Sequence, residues 1–287
     1  MQIEYQQGYL VLAQNNDTTD YVSCARALAH SIRIVEPDAK ICLLTDVDAA
    51  QDRVFDIVKT FPMGDLAQHT QWKLYNDWQC FYASPFRQTI KIEADMIVPR
   101  NISHWFDICA VRDLVVTVGS SDYQNRPSTS RYYRKIFDAN TLPDAYNAIT
   151  YWRLSPAAKM FFDTVKEIFD NWQPIMQVLK YGQDQPMNTD LAYALALRLL
   201  GEEQYTLPGS VPGLIHMKAR INRLQGEDWT KELVWEAEPG HFRIGTVEQM
   251  WPVHYHIKHF SQTLLEHYGR IPQGMERDKV VSSTSAH

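Results

Sequence analysis

Glu93 and Asp95 lie one residue apart in TIKIEADMIVPRNI, residues 89–102, where Ile90, Ile92, Ile97 and Val98 otherwise read as one apolar strand. In an extended chain, residues two apart project from the same face, so the two carboxylates would stand side by side at the strand's end. Ionising both is unfavourable unless a cation lies close by or the pair shares a proton. Magnesium and manganese match carboxylate oxygens and take their remaining ligands from water and substrate phosphates. The pair therefore points to a phosphorylated substrate held through a divalent cation. The competing reading is two solvent-facing acids where a strand ends.

The elements that must position these acids are legible from periodicity. YLVLAQ, residues 9–14, is a strand that stops in the turn-forming NNDTTD. Val22, Ala25, Leu28, Ala29, Ile32 and Val35 recur at spacings of three and four, a helix capped by Thr19 or Asp20 and ended before Pro37. KICLLTD, residues 40–46, is a second buried strand, and QWKLYNDWQCFYASPF, residues 71–86, reads as an aromatic-rich helix closed by Pro85. The acid-bearing segment is then a third strand and LVVTVGSSD, residues 114–122, a fourth. Strands separated by helices, each breaking into polar residues at its carboxyl end, predict an α/β fold with a mostly parallel central sheet. Ligands of such sheets bind outside the carboxyl ends of the strands, which puts NNDTTD, Asp46, Glu93, Asp95 and Asp122 on one rim. Further on, a helix follows Ser155 and Pro156, another spans about 187–200 before Gly201, and short strands fall near 211–217 and 252–256. These later elements form a C-terminal lobe.

Composition narrows the function classes. With 287 residues, 45% of them hydrophobic, the chain can bury a large core, and a formal charge of −6 gives no global attraction for polyanions. Nucleic-acid binding would need a local basic patch. Cys24, Cys42, Cys80 and Cys109 stand apart without a CxxC, so they read as small core residues in a reducing compartment, and a zinc site is not expected. The N-terminal MQIEYQQGYLVLAQNN has no basic segment ahead of its apolar run, and no window approaches the ~20 apolar residues of a membrane helix. A soluble, cytoplasmic protein is expected, of the host cytoplasm if a phage encodes it. One domain is read over residues 1–273, with a nucleotide-binding part to about 125, an acceptor-binding part and lobe beyond it, and a flexible tail over 274–287.

The run KLYNDWQCFYASPFRQTIKIEADMIVPRNISHWFD, residues 73–107, resembles the central segment of GT-A (Rossmann-like) glycosyltransferases, above all the glycogenin-like retaining family. There an aromatic-rich helix leads into a strand ending in DxD. Glu93 stands where the family has the first Asp, and Asp95 matches the surer metal ligand. LVLAQNNDTTDYVSCARALAHSI, residues 10–32, is similar to the family's opening strand, nucleotide loop and helix. The resemblance implies that Tyr21 packs on uracil, that Ala13 and Asn15 line base and ribose, and that Lys73 joins the donor-binding set. AYNAITYWRLS, residues 145–155, parallels a strand that places Asn147 beside the donor sugar, with Ala148 and Ile149 where the family has Ser-Gly. GQDQPMN, residues 182–188, matches the DQ element, implying that Asp184 and Gln185 face the reacting sugar. The family's last metal ligand is a histidine, followed by a lysine on the diphosphate. His216 with Lys218 is the preferred match; His254 or His256 with Lys258 is the alternative.

The resemblance spans roughly residues 9–218 and implies a metal-dependent hexosyl- or pentosyltransferase with a nucleoside-diphosphate sugar donor, UDP being the expected nucleotide. Manganese or magnesium would serve as cation, with retention at the anomeric carbon; were the reaction inverting, Asp122 would be the candidate base. For the acceptor, SSDYQNRPSTSRYYRK, residues 120–135, interleaves Tyr123, Arg126, Arg131 and Arg134 near the crevice mouth. Such a segment suits a phosphate backbone and stacked bases. The chain also resembles GT-A enzymes of bacteriophages, some of which glycosylate 5-hydroxymethylcytosine in double-stranded DNA. Aromatics suit a glycan or protein acceptor equally well. Two other classes stay open: a non-catalytic nucleotide or nucleic-acid binding module, and a metal-dependent nucleotidyltransferase.

Overall fold

The computed structural model describes residues 3–47, 52–128, 134–208, 211–238 and 240–268. Its central sheet contains β1 (Tyr5–Leu12), β2 (Ile41–Leu44), β3 (Ile57–Lys59), β4 (Phe86–Ile92), β6 (Leu114–Val118) and β9 (Ala145–Arg153), in the order β3-β2-β1-β4-β9-β6. Parallel pairing joins β3, β2, β1 and β4, whereas β9 runs antiparallel to both neighbours. The sheet is thus mostly parallel, with β9 reversed.

Alternation along β1 divides its side chains between two cores. Tyr9, Val11 and Ala13 pack on one face with Val22, Ala25, Leu28 and Ile32 of the helix Tyr21–Val35. Leu10 and Leu12 pack on the other with the helices Pro156–Asp170 and Thr189–Leu200. Helix ends follow their cap residues: Asp20 accepts from the Ser23 amide, Ser155 from Ala158 and Asn188 from Leu191, and Gly201 closes the last helix at φ 98°. All four cysteines are free and buried. Among the described residues, no helix is long and apolar enough to cross a membrane.

Two expectations need correction. The aromatic-rich segment is not one α-helix but a 3-10 helix, Lys73–Gln79, followed by a single α-turn, Cys80–Ala83. Its polar side chains are turned inward: Asn76 Oδ1 accepts the Leu66 amide and Gln79 Oε1 the Met63 amide, so the segment clamps a loop. Nor do the acids interrupt one strand. A second sheet, β5 (Met96–Ile97), β7 (Ser120–Ser121), β8 (Pro127–Ser128), β10 (Ile215–His216) and β14 (Val253–His254), has the order β5-β14-β10-β7-β8. Glu93, Ala94 and Asp95 make the turn by which the chain leaves β4 of the first sheet for β5 of the second. Segment 114–122 crosses likewise from β6 to β7 at Gly119, φ 80°. A small antiparallel sheet of β11 (Trp235–Glu238), β12 (His241–Ile244) and β13 (Val247–Glu248) packs with the helix Phe260–Tyr268 in a third core.

Close strand approach requires Gly8 in β1. A Cβ there would lie 2.3 Å from the Phe86 ring and 2.7 Å from the Lys40 carbonyl oxygen. Phe86 is itself buried and cannot swing away. Gly8→Ala should therefore destabilise the chain by about 1–3 kcal/mol in urea unfolding; an unchanged midpoint would show that the sheet relaxes freely at this point.

Candidate active site

The site forms where the two sheets meet. Parallel pairing of β10 with β14 sets His216 beside His254, and antiparallel pairing of β14 with β5 sets His254 beside Met96, just after the acids. The Tyr255 amide donates to the Asp95 carbonyl, tying the histidine segment to the acidic turn. His254 consequently lies between the two carboxylates, its Nε2 2.9 Å from Asp95 Oδ2 and its Nδ1 3.5 Å from Glu93 Oε2. Lys258 pairs with the same Asp95 oxygen and stands 5.2 Å over the Tyr21 ring.

This arrangement separates the two acids electrostatically. Burial alone would raise both. His254 and Lys258 nevertheless hold the Asp95 carboxyl well below the usual carboxylate range. Glu93 is pushed up to about 7 by burial, with the neighbouring Asp95 adding to the rise and His254 opposing it. Glu93, Asp95 and His254 offer ligand atoms within 4.8 Å of one another. A carboxylate-rich set with one imidazole suits magnesium or manganese, and a cation there would relieve the repulsion between the acids.

Two adjoining cavities open on this centre. One, about 300 Å³, is lined by Leu12, Gln14, Tyr21, Asp95 and Lys258. The other, about 200 Å³, is lined by Tyr146, Asn188, Asp190, His216 and Lys218. Trp72, Glu93, His254 and His256 contribute to both, so the cavities share the centre as a common wall. Burial lowers the Lys218 ammonium, with Arg134 adding to the effect and Asp190 working against it. Gln14 lines the larger cavity, its Oε1 accepting from Asn76 Nδ2 and its amide group facing the Asp65 carboxylate.

No protein-family profile and no curated protein matches the sequence. Among solved structures, the galactosyltransferase LgtC in complex with donor and acceptor sugar analogues matches with a TM-score of 0.51 at 12% identity, covering 92% of this chain and 98% of that one. An active-site mutant of LgtC matches at TM-score 0.50 and 13% identity, with 92% and 98% covered. This is a GT-A fold. The apo-form glycosyltransferase GlyE of Streptococcus pneumoniae TIGR4 also matches, at TM-score 0.46 and 12% identity, over 92% of this chain and 60% of that one.

Within the GT-A frame, the residues singled out from sequence fall into three groups. Glu93, Asp95, Tyr21, His216, His254, His256, Lys218 and Lys73 all line the cavities, although Lys73 Nζ is held by the Ala67 and Gln68 carbonyl oxygens. A second group is displaced from the walls. Ala13 is buried in the core with its amide on the Leu44 carbonyl, and Asn15 Oδ1 accepts the Val22 amide at the start of the following helix. The cavity side of that segment carries Leu12, Gln14 and Asn16 instead, a shift of one residue that in an extended chain changes the face. Asp184 is exposed, and the cleft is lined by Met187, Asn188, Thr189 and Asp190, a few residues further along; the Gln185 carbonyl accepts the Trp172 indole N–H.

The third group serves the scaffold. Asn147 is fully buried in β9, donating through Nδ2 to Asp77 and through its backbone amide to Asp190 Oδ1. Asp122 is buried and accepts from the Gln124 and Arg126 amides and the Arg126 side chain, which organises the turn after β7. Arg126 is thereby paired, and Tyr123 packs against the third core. Arg134 is 5% exposed, ion-paired with Asp144 and stacked on Phe137 and Tyr146, so it presents no charge to a partner. Arg131 lies outside the described residues, as does the tail over 274–287. Sequence reading missed Gln14, Asp77 and Asp190; the signal for Gln14 was its place two residues beyond Leu12, and for Asp190 its place in the first turn of the helix Thr189–Leu200.

Proposed function

We propose that the chain is a nucleotide-sugar-dependent glycosyltransferase, moving a glycosyl group from a nucleoside diphosphate to an acceptor hydroxyl. The observation that carries the reading is the carboxylate–histidine centre between two cavities of unequal lining, one with a half-buried tyrosine and a lysine, the other with an acid, a lysine and polar side chains. The larger cavity would take the nucleotide, Tyr21 stacking on the base. The smaller would take the sugar, oriented by Asp190 and Asn188. Glu93, Asp95 and His254 would hold a divalent cation, manganese or magnesium, which neutralises diphosphate charge when bound.

In the reaction, the bond from the anomeric carbon to the diphosphate oxygen breaks, its electron pair staying on the phosphate, and a bond to the acceptor oxygen forms as that oxygen's proton passes to the departing phosphate oxygen. Lys258 sits on the nucleotide side, placed to neutralise the leaving group. Asp190 is the carboxylate on the sugar side, held by the Asn147 amide and by Arg134 at 3.6 Å, and is placed to stabilise positive charge on the sugar. UDP is the nucleotide we favour, with retention as the stereochemical outcome. For the acceptor, the burial of Arg134 and the pairing of Arg126 remove charge that duplex DNA would require. A glycan hydroxyl is therefore better supported than a hydroxymethylcytosine base.

The reading is tested by incubating the full chain and manganese with a panel of nucleotide sugars, adding either glycans or hydroxymethylcytosine-containing DNA, and following products by mass spectrometry. Sugar transfer, or slow release of free sugar, is expected; inertness toward every donor in the panel would count against it. Tyr21→Ala should weaken UDP binding by about 1–3 kcal/mol in calorimetry with manganese present. Equal affinities in the two proteins would place the base elsewhere.

A further inference from the structure

The carboxylate centre uses one histidine, yet three converge. His216, His254 and His256 each offer a ring nitrogen within 4.8 Å of the other two. Their rings are nearly parallel, with centroids 3.8 Å apart for His254 and His256, 4.5 Å for His216 and His256, and 5.3 Å for His216 and His254. His216 is 2% exposed, and neither of its ring nitrogens has a hydrogen-bond partner. His256 Nε2 is likewise buried without one, and His254 Nδ1 makes no hydrogen bond although Glu93 Oε2 lies 3.5 Å away. A buried imidazole nitrogen left unsatisfied is costly, and here the unsatisfied atoms cluster.

The backbone also pays attention to His256 alone: its φ is 60°, and the Ile257 amide bonds back to the Tyr255 carbonyl at 2.7 Å across it. That is a γ-turn of the rare, positive-φ kind, which aims one side chain at the expense of local strain.

We propose that His216, His254 and His256 form a second metal site, a three-imidazole site for a borderline transition ion such as Zn²⁺, distinct from the carboxylate centre but sharing His254 with it. Tetrahedral zinc with nitrogen ligands at about 2.0–2.1 Å needs nitrogens about 3.3 Å apart with their lone pairs converging, so the near-parallel rings must turn out of their stack to close on an ion. Three protein imidazoles and one open position is a familiar zinc donor set, whereas magnesium prefers oxygen. The parallel pairing of β10 and β14 brings His216 beside His254, and His256 follows two residues on. The inference rests on the imidazoles and holds whether or not the chain transfers sugar.

The test is a Co²⁺ titration of the full metal-stripped chain followed by visible absorption, with Zn²⁺ as competitor, beside a Mn²⁺ titration followed by electron paramagnetic resonance. The expected result is ligand-field absorption displaced by Zn²⁺, retained in Glu93→Gln, and with affinity reduced roughly tenfold or more in His216→Asn and in His256→Asn. Circular dichroism checks that each variant folds, and His256→Asn, in a loop, decides the matter if His216→Asn does not. Co²⁺ affinity unchanged in a folded histidine variant, or no Zn²⁺-displaceable absorption in the parent, would overturn the proposal. Mn²⁺ binding lost in Glu93→Gln while Co²⁺ binding persists separates this site from the carboxylate centre, so the two readings can fail independently.

Discussion

Asp95→Asn is expected to lower donor turnover and Mn²⁺ affinity by about 100-fold or more, while leaving the chain folded. A group that merely orients a metal ligand typically contributes 10–100-fold, so loss of a charged ligand should do at least as much. Asp95 is the group on which His254 and Lys258 converge, and its carboxyl is held well below the usual range by those two charges despite its burial. Stability should change little by comparison, because asparagine keeps the shape and the backbone carbonyl of residue 95 still receives the Tyr255 amide. Mn²⁺ titration and thermal unfolding measured on the same preparation check both halves. Full turnover in a folded Asp95→Asn protein would remove the cation from the mechanism.

The largest stability effect should come from a different carboxylate. Lys91 and Asp77 form an ion pair in the core, 1% and 0% exposed at their side chains. Burial opposes charge on Lys91, but Asp77 first, then Cys80 and Glu93, together outweigh that penalty, so the ammonium is held above its ordinary range. Asp77 also accepts from Tyr193 at 2.6 Å and from Asn147 Nδ2 at 3.2 Å, and Asn147 in turn holds Asp190 at the cavity wall. Lys91→Met would leave the Asp77 carboxylate buried without its counter-charge, and about 3–5 kcal/mol of stability should be lost. Pairing it with Asp77→Leu should restore part of the loss, since the uncompensated charge is then gone. Urea unfolding of the two single variants and the double reads this directly; additive losses would show that the pair is not coupled.

Much of the scaffold was readable because local rules and tertiary packing agree there. The caps at Asp20 and Ser155, the stop at Gly201 and the apolar periodicity of the helix Tyr21–Val35 all appear where the chain pattern puts them. The crossings between sheets were not readable. Apolar residues flank Glu93 and Asp95 on both sides, and a one-dimensional pattern does not show that Ile92 and Met96 belong to different sheets. The same limit governs the histidines. Distance along the chain favoured His216 as partner of the acids, but the pairing of two-residue strands puts His254 between them. Ala13 and Asn15 were placed on the wrong side of an extended segment, where one residue changes the face. Arg134 looked like a surface charge because its partner Asp144 and the rings beneath it come from later in the chain.

The central claim is that the turn at Glu93 and Asp95 grips a cation-bound nucleoside diphosphate between the two cavities. A crystal structure of the full chain with UDP and Mn²⁺ tests it most directly. An ion touching Asp95, Glu93 and His254 is expected, with the diphosphate reaching Lys258 and the uracil on Tyr21. A nucleotide bound elsewhere, with that turn and its histidine unchanged and carrying no ion, would contradict it.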